Sequence, residues 1–93
     1  MNKILIGYDL NKRTQPEQYD NLIKKIKANF PTYWHCLDST WIVVTSLTPV
    51  QVCNLLSQAL DANDELLVVD ITGKLAAWRG FDTNCSSWLK DNL

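Results

Sequence analysis

The sequence predicts an α+β domain of ferredoxin-like order, βαββαβ with an antiparallel sheet, followed by a C-terminal extension. Three observations predict it. Two segments carry apolar residues at helical spacing behind clear cap signals. Four others read as strands by alternation or by β-branched and aromatic content. The two kinds of segment follow one another in the order strand, helix, strand, strand, helix, strand. The 93 residues are read as one domain, with a core over 1–72 and the extension over 73–93.

The first strand is expected over residues 3–11 (KILIGYDLN). Leu5, Gly7 and Asp9 share one face, and Ile4, Ile6 and Tyr8 the other. A polar link through Lys12 and Arg13 leads to Thr14-Gln15-Pro16-Glu17, a capping-box pattern. Tyr19, Leu22, Ile23, Ile26 and Phe30 then form one helical stripe, which Asn29 and Pro31 end. Residues 32–37 and 40–46 are expected to pair as a hairpin around Asp38 and Ser39. Thr48, Pro49 and Gln51 repeat the cap logic ahead of a stripe of Val52, Leu55, Leu56, Ala59 and Leu60. Residues 61–64 read as a turn, and residues 66–71 as a nearly continuous apolar strand of the kind found inside a sheet. In the extension, Asp82 is placed to cap a short last helix running through Trp88 and Leu89. Two helices on one sheet face would leave the other face for a partner.

Composition excludes several classes. Hydrophobic residues at 46% and charged residues at 20% are ordinary for a globular domain. No run approaches the roughly 18 apolar residues of a membrane span, and the charged, short N-terminal run is not a signal peptide. Cys36, Cys53 and Cys85 are odd in number and lack C-x-x-C spacing. That argues against a zinc site or a disulfide framework and fits a reducing cytoplasm. The net charge of −1 argues against a general nucleic-acid coat. The charge is uneven, however: residues 1–27 hold six Lys/Arg against three acids, and residues 28–93 hold three against seven. No glycine-rich phosphate loop, Ser-His-Asp arrangement or H-E-x-x-H motif is present.

The strongest chemical candidate is Asp9, a carboxylate at a strand end, where α/β sheets place ligands. Gly7 on the same face leaves room for close approach, and a twofold dimer packed there would bring two copies of Asp9 together. Such a pair suits a divalent cation, Mg²⁺ or Mn²⁺; the plain alternative is a strand-end Asp capping a turn. His35, the only histidine, suits a general base, against the plain reading of a packed strand residue. Asp38, Ser39 and Thr40 are turn residues or contacts to ribose and phosphate. Lys12 and Arg13, near Asp9 in sequence, suit phosphate contacts, as do Lys24, Lys25 and Lys27; Arg79 either anchors the tail or meets a phosphate. Trp34, Trp41, Trp78 and Trp88 read as core or interface, with base stacking as the alternative for an exposed one.

Tyr8-Asp9-Leu10, the hairpin run Trp34-His35-Cys36-Leu37-Asp38-Ser39-Thr40-Trp41, and Leu66-Leu67-Val68-Val69 followed by Trp78-Arg79-Gly80-Phe81 carry a resemblance. The chain resembles the small CRISPR-associated group called Cas-two and the virulence-associated protein D ribonuclease toxins. The resemblance is closest to a SinR-like branch of that superfamily, over nearly the whole chain. It implies a homodimer in the cytoplasm, with RNA or DNA as partner. It further implies a divalent metal held at the twofold axis by the acid after the first strand, Asp9, and a catalytic role for the hairpin serine, Ser39. The expected function is a metal-dependent endoribonuclease. The alternatives are a non-catalytic module binding a nucleotide, nucleic acid or protein, and an adaptor docking through its tryptophans.

Overall fold

A computed structural model of the chain describes residues 1–10 and 16–93, and the side chains of residues 1–10 and 20–93. Along the chain lie β1 (Asn2–Asp9), α1 (Pro16–Asn29), β2 (Tyr33–Leu37), β3 (Thr40–Thr45), α2 (Pro49–Ser57), β4 (Glu65–Asp70) and α3 (Thr83–Asn92). The strands form one four-stranded sheet in the order β2-β3-β1-β4, with every neighbouring pair antiparallel. The expected α+β class therefore holds, and the arrangement is compatible with the ferredoxin-like one. The first cap, at Thr14 and Glu17, lies outside the described residues and side chains.

Alternation in β1 sorts the side chains as the sequence requires. Ile4, Ile6 and Tyr8 are buried together with Leu22, Ile26 and Phe30 from α1 and Val52 and Leu56 from α2. Trp41 and Val43 of β3 complete this main core, and Leu66 and Val68 of β4 pack against its side. The Trp41 indole N–H donates to the Tyr8 hydroxyl at 3.0 Å, so neither polar atom is stranded in the core. α2 starts on the expected capping box: the Gln51 amide donates to the Thr48 hydroxyl at 3.3 Å, and the Thr48 amide to the Gln51 side chain at 2.9 Å. The Lys25 ammonium donates to Gln58 at 2.8 Å and ties the two helices together.

The opposite sheet face departs from expectation in two ways. The first is that the extension folds back over part of it. Trp34, Ile42 and Leu89 are buried there as a second, smaller core, rimmed by Cys36, Ile71, Trp78, Phe81, Trp88 and Leu93. α3 begins at the predicted cap, where the Cys85 amide donates to Asp82 at 2.8 Å. It therefore covers the β2–β3 half of the face and leaves the β1–β4 half exposed.

The second departure is that Cys36 and Cys85 form a disulfide, leaving Cys53 as the free cysteine. The spacing argument excluded a local pair but could not see two cysteines 49 residues apart that the topology brings together. A register shift between Trp34 and Leu37 sets His35 and Cys36 opposite the single residue Trp41. His35 turns toward Trp41, and Cys36 turns toward α3. Disulfides persist in oxidising surroundings, so the cysteines no longer argue for a cytoplasmic location. No helix among the described residues is long and apolar enough to cross a membrane.

Candidate functional site at the end of the central strand

Asp9 ends β1 on the face away from α1 and α2, and it is exposed. Its cross-strand partner is Glu65, the first residue of β4. Side chains directly opposite in an antiparallel pair stand on the same face about 5 Å apart at Cβ. Two carboxylates therefore flank the rim of an open cleft of about 400 Å³, lined by Gly7, Tyr8, Asp9, Glu65, Leu66 and Leu67. Like charges placed so are mutually unfavourable. The donor set, two hard carboxylate oxygens beside open solvent, fits Mg²⁺ or Mn²⁺ with water completing the shell. Among the described residues no group of three or more His, Cys, Asp or Glu forms a fuller metal cage.

Gly7 floors this cleft, and a Cβ built there would meet nothing within 4 Å. Beside it stand Leu67 at 62% and Val69 at 39% exposure. The exposed half-face is thus an apolar strip with a carboxylate pair at one end.

The other predicted residues divide. Ser39 lies in the β2–β3 turn beside the end of β1, where its carbonyl accepts the Tyr8 amide at 3.1 Å. His35 lies elsewhere: its ring stacks on Trp41 with centroids 3.8 Å apart and planes 8° from parallel. Trp41 belongs to the main core, so His35 stands on the opposite side of the sheet from Asp9. The His35 Nδ1 is 3.0 Å from the Thr40 carbonyl, which can only accept, so Nδ1 carries a proton and Nε2 is the nitrogen left for other chemistry. Asp38 is exposed in the turn. Arg79 is exposed on the extension, at the mouth of a separate cleft beside Trp78 and Phe81. Lys12 and Arg13 lie outside the described residues. The structure thus gathers Asp9, Glu65 and the Ser39 turn at one end of the sheet and leaves His35 and Arg79 apart from them.

Sequence reasoning missed Glu65. The signal was present in the strand prediction that starts one residue later, but only the β1–β4 register sets residue 65 opposite residue 9.

At the far end of the same strand pair, Asp70 is held ionised more firmly than an ordinary aspartate. The Thr72 hydroxyl and amide both donate to its Oδ1, at 2.5 and 2.9 Å, and Lys74 adds a nearby positive charge. These lower its pKa from the usual 3.8. The Thr72 hydroxyl oxygen also accepts the Lys3 amide at 2.9 Å, so the cluster pins the end of β4 to the start of β1.

No family model, curated protein or solved structure matches the chain.

Proposed function

We propose that this chain is a small nucleic-acid-associated protein that works as a homodimer, with Asp9 as the centre of a divalent-metal site used for RNA cleavage. The observation that carries the proposal is the register of Asp9 against Glu65 at the edge of an open cleft. The four-stranded antiparallel sheet and its helices are compatible with a ferredoxin-like βαββαβ domain, the form expected of the Cas-two and virulence-associated protein D groups that the chain resembles, and that compatibility supports the reading. A second copy would pack on the exposed β1–β4 half-face, where Gly7 permits close approach and Leu67 and Val69 supply apolar area.

In this reading Asp9 and Glu65 hold the cation, and the Ser39 turn beside Tyr8 borders the bound strand. When bound, Mg²⁺ or Mn²⁺ would neutralise phosphate charge and lower the pKa of a coordinated water. Arg79 stands apart from this cleft, and Lys12 and Arg13, three and four residues after Asp9 in sequence, are the proposed phosphate contacts.

A second reading is favoured by the position of His35. Among the described residues, the lining of the Asp9 cleft contains no His, Lys or Arg, so a nucleotide, nucleic acid or protein could be bound there without turnover.

The experiment is a cleavage and binding series with labelled single-stranded RNA, duplex RNA and DNA in Mg²⁺, Mn²⁺ or EDTA. Metal-dependent RNA cleavage that falls about a hundredfold or more in Asp9→Ala is expected, because a metal ligand supports several kcal/mol of charge stabilisation. Cleavage that persists unchanged in Asp9→Ala would overturn the mechanism. Binding that survives EDTA with no cleavage would establish the second reading.

A further inference from the structure

The extension builds a second site, and its chemistry is opposite in sign to that around Asp9. Two adjoining clefts of about 290 and 300 Å³ share Ala76, Trp78, Leu89 and Leu93 in their walls. Residues 28–93 contain only three Lys/Arg, namely Lys74, Arg79 and Lys90. All three line these clefts: Arg79 the first, Lys74 and Lys90 the second. Among the described residues, no Asp or Glu side chain lines either one, although the same stretch of sequence holds seven acids. Of the three cations, Lys74 is shared with Asp70, whose carboxylate feels its charge. Among the described residues of the cleft walls, no Asp or Glu stands beside Arg79 or Lys90.

The apolar part of the walls is fixed rather than soft. The Trp78 indole N–H is already used, donating to the Ser86 hydroxyl at 2.9 Å, so its ring is held by α3. Phe81 meets Trp34 edge to face at 5.1 Å, and Trp34 in turn donates to the Cys85 carbonyl at 3.1 Å. Aromatic walls held in place beside a few charged side chains are how small-ligand sites obtain both burial and orientation.

We propose that this tail-built cleft binds a small amphipathic anion: a flat or aliphatic apolar body against Trp78, Leu89 and Phe81, with one carboxylate or sulfonate head paired to Arg79 or Lys90. Charge complementarity selects the head, and the apolar walls select the body. The site does not depend on Asp9 or on a metal.

The probe is 8-anilinonaphthalene-1-sulfonate, compared with N-phenyl-1-naphthylamine, a neutral molecule of the same two ring systems. Saturable fluorescence at one site per folded chain is expected. The neutral probe should bind about tenfold or more weakly, the size of one charge-assisted contact. Arg79→Gln combined with Lys90→Gln should weaken the sulfonate probe by a similar factor and leave the neutral probe unmoved. Both residues are exposed, so the variant keeps its fold, which near-ultraviolet circular dichroism checks. Lys27→Gln, on α1 across the sheet, should change nothing. Octanoate should displace the sulfonate probe. The proposal is overturned if the neutral probe binds as tightly as the anion, or if the double variant binds the anion unchanged. Displacement by a single-stranded RNA oligonucleotide but not by octanoate would also overturn it and reassign the cations to phosphate contact.

Discussion

On one face of the sheet, α1 and α2 close over a core in which eleven of the described residues are buried, among them Ile4, Ile6, Leu22, Ile26, Trp41 and Leu56. On the other, α3 buries three residues, Trp34, Ile42 and Leu89, and leaves their neighbours half-covered. The large core is held by area, because apolar surface removed from water stabilises in proportion to its extent. The small one lacks that area and adds directional and covalent links: the indole hydrogen bonds of Trp34 and Trp78 and the Cys36–Cys85 bond. A small core is stable alone only when it is stapled, and this molecule carries both solutions on one sheet.

The largest effect should come from the large core. Trp41→Ala removes a fully buried ring that packs against Tyr33 and His35 and bonds Tyr8. A loss of about 3–5 kcal/mol is expected in urea denaturation, enough to unfold a domain of this size. If instead only the second core melts, the ranking of the two regions is reversed.

Opening the disulfide should act more locally. Reduction, or Cys85→Ser, should cost about 2–4 kcal/mol. Hydrogen exchange should speed first in α3 while β1 and β3 amides stay protected. Equal loss of protection in β1 and α3 would show that the two cores form one cooperative unit.

The smallest effect concerns the Asp70 cluster, which borders the second core at Ile71. Its folded pKa lies below 3.8, so its contribution is complete above that pH and disappears as the pH falls through the lowered folded value. Thr72→Val should move the Asp70 pKa back up toward 3.8 in an NMR titration. No change would mean that the Thr72 amide and Lys74 suffice.

The same contrast explains what was legible in the sequence. The main core follows periods of 2 and 3.6, so its strands and helices could be read from spacing, down to the Thr48 cap, but β4, expected inside the sheet from its apolar run, lies at the edge beside β1. The second core comes from an irregular run, residues 76–82, and from one short helix whose packing partners lie some fifty residues away. Asp82 announced that helix, but nothing local showed that it would dock on β2. The same holds for the sites. Asp9 was visible because a strand-end carboxylate is a local pattern. Glu65 and the cations that line the clefts beside Trp78 required register and tail placement, which are properties of the folded chain.

The disulfide closes a loop that contains β3, α2 and β4 but not β1, although β1 lies between β3 and β4 in the sheet. A protease that nicks the exposed turn at residues 61–64 would leave both fragments joined as one covalent molecule. A single cut between α1 and β2 would leave β1 and α1 with no covalent link to the rest of the chain. The edges of the sheet are thus insured against cleavage, while its middle strand, the one that carries Asp9, is kept in place by pairing and packing alone.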